Sequence, residues 1–108
     1  MPILPNIPTL KDYQIYVSEL EKERGFTENT VIQSSLMLGE EIGELFKAIR
    51  KAEKMKVDTN SDTHHIGEEM ADIIIYLCSI ANRYDIDLES SFRAKEEINK
   101  SRSWIKPE

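Results

Sequence analysis

Proline is confined to Pro2, Pro5, Pro8 and Pro107, so the chain between Pro8 and Pro107 holds no residue that removes an amide donor and clashes with the preceding helical turn. With only 4 Gly in 108 residues, that stretch is free to be helical, and its apolar residues recur three or four apart as one face of a helix requires. Thr9 with Asp12 forms a capping pattern ahead of Leu10, Ile15, Val17 and Leu20, which predicts helix 1 over 10–24 with Gly25 as its terminal glycine. Thr27 or Asn29 then caps helix 2 over 28–54, whose stripe is Ile32, Leu36, Leu38, Ile42, Leu45, Phe46 and Ile49. Residues 56–63 carry no apolar period and read as a loop. Helix 3 is expected over 63–84 through Ile66, Met70, Ile73, Ile74, Leu77, Ile80 and Ala81, and helix 4 over 88–103, capped by Asp87 with Leu88, Phe92 and Ile98 turned inward. The run Ile73–Ile75 lies within this helical period and is read as helix, which makes the fold all-α.

A chain of this length makes one domain, 1–108, with 1–8 as an N-terminal extension and 105–108 as a C-terminal tail. Its 40% apolar content against 31% charged is that of a folding chain. Fourteen basic residues against 20 acidic give a net charge of −6, which repels a polyanion and argues against nucleic acid as a partner. The lone Cys78 cannot form an internal disulfide and suits a reducing, cytoplasmic setting. The longest apolar run, Ile73 to Cys78, falls far short of the roughly 20 residues that a bilayer requires, so no membrane partner is expected. Helix 3 is apolar around more of its circumference than a small bundle covers. A homo-oligomer, dimer or tetramer, is therefore expected to bury Ile73 to Ile80 at or near a subunit interface.

Two acidic clusters sit on consecutive helices: Glu40-Glu41-Ile42-Gly43-Glu44 and Glu68-Glu69-Met70-Ala71-Asp72. Residues three apart share a helical face, so Glu41 pairs with Glu44 and Glu69 with Asp72. These acids adjoin the apolar stripes, where uncompensated charge is costly, and none has a Lys or Arg four residues on. Such a set calls for a cation. Hard oxygen donors without Cys or His select Mg²⁺, with Mn²⁺ as a substitute, and such ions bridge phosphate oxygens. No glycine-rich phosphate loop is present.

Glu41-x-x-Glu44, 24 residues, then Glu69-x-x-Asp72, within the strings GEEIGEL and EEMADIIIYL, resembles the all-α nucleoside triphosphate pyrophosphohydrolases of the MazG, dimeric dUTPase and dCTP pyrophosphatase group. The likeness runs from about Leu10 to Trp104. It implies a four-helix MazG-like bundle that assembles into a homo-oligomer and hydrolyses a nucleoside triphosphate to the monophosphate and pyrophosphate. By this resemblance Glu41, Glu44, Glu69 and Asp72 are the Mg²⁺ ligands, and Glu40, or one of those four, activates the water. Lys95, Asn99 and Arg102, which share a face of helix 4, correspond to residues that contact phosphates and sugar in the dCTP pyrophosphatase branch. That branch makes a deoxynucleoside triphosphate, dCTP or a similar one, the expected substrate, and nucleotide-pool sanitation the expected role. Phe26 matches in placement an aromatic that stacks on the base, and Tyr76, Phe46 and Trp104 are further substrate-contact candidates. Two rival readings are a phosphoribosyl-ATP-type pyrophosphohydrolase and a non-enzymatic helical interaction protein. His64 and His65 lack partners at ligand spacing and read as loop residues, and Cys78 reads as a small buried hydrophobe.

Overall fold

In a computed structural model, residues 1–55 and 65–103 are described, and among them the secondary structure is helical throughout. Thr9 opens α1 (Leu10–Arg24) with a reciprocal cap: its hydroxyl accepts from the Asp12 amide at 3.2 Å, and its own amide donates to the Asp12 carboxylate at 2.9 Å. Gly25, at φ 76°, closes the helix in the left-handed region that favours glycine, and its amide returns to the Glu21 carbonyl.

The next helix, α2 (Val31–Ala52), starts three residues later than the spacing suggests. Its cap is Thr30 and not Thr27 or Asn29, because Thr30 and Gln33 make a second reciprocal box, with bonds of 3.1 and 2.8 Å. The chain before it turns on an Asn29 amide to Phe26 carbonyl bond. Helix α3 (Ile66–Arg83) begins at His65, whose side chain makes no capping bond. The 63–64 end of the expected helix, and His64 with it, lie outside the described residues. Asp87 caps α4 (Leu88–Lys100), its carboxylate accepting from the Ser90 amide at 2.9 Å. The helix stops short of 103 because Ser101 and Arg102 bond back only three residues, which tightens the last turn.

Helix α3 is the hub, with α2 and α1 packed on it, while α4 leans on α1. The densest core joins Val17, Leu20 and Cys78, with Tyr16, Ile75 and Leu88 against them. On α1 the buried side is not the one that Leu10 and Ile15 mark. Those two are exposed, and Gln14, Val17, Leu20 and Glu21 are buried instead. Gln14 can be buried because its amide donates to Asn82 Oδ1 (3.1 Å) and the Ile86 carbonyl (2.7 Å), while its oxygen accepts from the Leu88 amide (3.0 Å). One side chain thereby fixes α1 to the corner between α3 and α4.

Helix α4 has no buried residue, and Phe92 and Ile98, expected inward, are 66% and 51% exposed. Its contact with α1 alone is too narrow to cover both. On α2, Ile32 and Leu36 are exposed to 72% and 71%. The radius of gyration is 17.0 Å, against about 13 Å for a compact chain of roughly 100 residues. The chain is thus an open arrangement with much apolar helix surface facing outward.

Candidate metal centre and adjoining cavity

The α2–α3 contact brings acids from both helices together. Glu41, Glu69 and Asp72 each offer a carboxylate oxygen, and these atoms lie within 4.8 Å of one another. Glu69 is buried at 5% exposure, and Glu41 and Asp72 are half-buried. Glu44, one turn on from Glu41, is half-buried with its Oε2 shielded from solvent, and it lies outside this group of three. Glu40 is exposed beside the group.

Like charges this close cannot all ionise freely. The Glu41 carboxyl is pushed up to about 7, first by its hydrogen bond with Glu69, then by burial, and then by the charges of Asp72, Glu69 and Glu40. Tyr76, one turn after Asp72, responds to the same field. Burial and the charges of Glu41, Asp72 and Glu40 hold its hydroxyl above the usual tyrosine range. A divalent cation fits this donor set. Oxygens bound at about 2.1 Å to Mg²⁺ stand at most roughly 4.2 Å apart, which small side-chain rotations reach from the present spacing.

Beside the acids lies a cavity of about 140 Å³, lined by Leu20, Glu21, Arg24, Phe26, Asn29, Ser34, Met37, Asp72, Ile75, Tyr76 and Ser79. Asp72 belongs to both the cluster and the cavity wall, so the two are continuous. Of the substrate-contact candidates, Phe26 and Tyr76 line this cavity. Phe46 is exposed and does not. Lys95 and Arg102, both exposed, and Asn99, which donates to Glu96 at 3.1 Å, stand in and just after α4, away from the cavity lining. Trp104 lies outside the described residues.

Sequence reasoning missed the group that shapes the cavity. Arg83 presents its five N–H donors to five acceptors: the Asn29 carbonyl (2.9 Å), the Ser79 carbonyl and hydroxyl, the Phe26 carbonyl (3.1 Å) and Glu21 Oε2 (2.7 Å). It thereby pins the α1–α2 connection, and Phe26 with it, to α3. A signal was present: Glu21 falls four residues after Val17, on the buried face of α1, and Arg83 is the sole base in α3. Cys78, 1% exposed, is the small core residue expected, and burial pushes its thiol up.

Among the described residues no helix is long and apolar enough to cross a membrane. No curated protein matches the chain. Residues 26–103 match the MazG nucleotide pyrophosphohydrolase domain, a span that takes in α2, α3, α4 and every acid of the cluster, and the chain belongs to that family.

Proposed function

We propose that the protein hydrolyses a nucleoside triphosphate, with deoxynucleotides preferred, to the monophosphate and pyrophosphate in the presence of Mg²⁺. The observation that carries this reading is the shared position of Asp72, which joins a three-carboxylate group to a cavity of single-ring size. A polyphosphate tail lying at the acids would leave its base at the cavity, beside Phe26 and Tyr76. Glu41, Glu69 and Asp72, with Glu44 one turn away, would hold the cation. When bound, such an ion supplies charge neutralisation and polarisation of the phosphate oxygens under attack. Glu40, exposed at the edge of the group, or one of the four ligands, takes a proton from the attacking water. The bond between the α phosphorus and the bridging oxygen breaks, and pyrophosphate leaves.

Lys95, Asn99 and Arg102 are proposed phosphate and sugar contacts, with Trp104 as a further substrate contact. Because α4 leans on α1, this helix joins a site most simply in a homo-oligomer. The exposed faces of α2 and α3, including Ile32, Leu36, Ile74 and Leu77, are the surfaces proposed to meet there. Chromatography of the products decides the reaction. Monophosphate plus pyrophosphate, lost on chelation and restored by Mg²⁺ or Mn²⁺, is expected. Diphosphate plus orthophosphate would refute it, and a strictly monomeric sedimentation profile at micromolar concentration would refute the assembly.

A further inference from the structure

The cavity wall away from the metal group carries a second carboxylate, Glu21, which would repel a phosphate. We propose that Glu21, clamped by Arg83, is a specificity-determining residue that accepts a hydrogen bond from an exocyclic amino group, so that the cavity takes an aminopyrimidine base. This deepens the nucleotide-hydrolase reading and rests on it.

Size comes first. A cavity of about 140 Å³ is close to the roughly 150 Å³ that accommodates a benzene ring. A six-membered ring fits, with Leu20, Ile75 and Phe26 offering apolar contact, and a single ring fills the space more closely than the fused rings of a purine would.

Hydrogen-bonding capacity then separates one pyrimidine from another. Asn29 and Ser34 can each donate or accept, so they tolerate either a keto or an amino edge. Arg24, donor-only, is exposed at the end of α1, where water competes for it. The acceptor-only side chains on the wall are Asp72 and Glu21, and Asp72 belongs to the metal group. Glu21 is 8% exposed, and its Oε2 sits 2.7 Å from Arg83. The other donors of Arg83 are engaged by Asn29, Ser79 and Phe26, so the guanidinium makes no claim on Oε1. The result is a charged acceptor whose orientation is set before any ligand arrives. A base offering N–H meets it favourably, while one offering C=O sets acceptor against acceptor in a poorly hydrated wall.

The test reads binding without turnover. Calorimetry of dCMP, dUMP and dAMP should show dCMP at least tenfold tighter than the other two on the wild-type protein. In Glu21→Gln, whose amide can also donate, the dCMP-to-dUMP ratio should fall towards one. Glu21→Asp keeps the charge for Arg83 but withdraws the oxygen by one methylene, and there the ratio should fall at least threefold, which covers the case in which the Gln variant does not fold. Equal affinity for dCMP and dUMP in the wild type, or a ratio unchanged in every variant that folds, would overturn the proposal. Selective dCMP binding without pyrophosphate release would break the hydrolase reading alone, and hydrolysis indifferent to the base would break this one alone.

Discussion

Two charged groups stand at opposite ends of α3, Glu69 in its first turn and Arg83 at its last residue, and they are built on opposite plans. Around Arg83, one cation meets one carboxylate and four neutral oxygens, and every donor is matched. Around Glu69, three carboxylates converge within 4.8 Å, and one of them, Glu41, is held near 7 in consequence. The first arrangement is complete without a ligand, as buried polar networks in a stable structure tend to be. The second sets like charges against one another, and a proton or a cation would relieve that repulsion. Of the two, the acids are therefore the place to look for chemistry, and the guanidinium is the frame that holds its surroundings.

The comparison breaks most visibly in activity. Replacing Glu41, Glu69 or Asp72 by its amide should lower pyrophosphate release about a hundredfold or more, since charge at such a site supplies much of the transition-state stabilisation. Steady-state assay with Mg²⁺ decides it, and a wild-type rate in one variant removes that residue from the site. In stability the two groups should respond in opposite senses. Arg83→Met strands Glu21 in a largely buried position and should cost about 3 kcal/mol in chemical denaturation. Glu69→Gln relieves repulsion and should leave the metal-free protein as stable as wild type or more so. A large loss there would make Glu69 a structural residue. Next in size is the metal itself: at a hundredfold excess over Kd, Mg²⁺ should stabilise the wild type by about 2.7 kcal/mol, and Glu69→Gln by much less, as read from the melting temperature.

The last effect is on pH. The folded Glu41 carboxyl titrates near 7, above the 4.5 of an unperturbed one, so in this window the folded state binds more protons than the unfolded state. Metal-free stability should therefore fall as pH rises from about 4.5 to 7 and level off beyond, and saturating Mg²⁺ should flatten that decline. A metal-free profile that rises across the window would contradict the shared-proton arrangement of Glu41 and Glu69.

The helices were legible because their signals are local. Thr9 with Asp12, Gly25 and Asp87 each end or begin an element through bonds no more than four residues long. Thr30 was missed because Thr27 and Asn29 offer equally good chemistry, and only the turn from Phe26 to Asn29 selects between them. The acids were legible as two pairs on helical faces, but spacing along one helix does not say which members cross to the next. Glu41, Glu69 and Asp72 meet, while Glu44 stands one turn along. Hydrophobicity misled where the core admits polar groups. Gln14 and Glu21 occupy the inward face of α1 because partners on α3 and beyond it satisfy them, and those partners lie more than 60 residues away in sequence.

That distance has a kinetic side. Arg83 reaches backbone oxygens 54 and 57 residues earlier in the chain, so the clamp cannot close until α3 has docked on both preceding helices. Contacts of such long range bear the full entropy of loop closure before they return anything. The local caps should therefore form before the cavity wall, which needs these distant partners. Loosening Arg83 should consequently hasten unfolding while leaving the refolding rate almost unaltered, as interactions made after the transition state do.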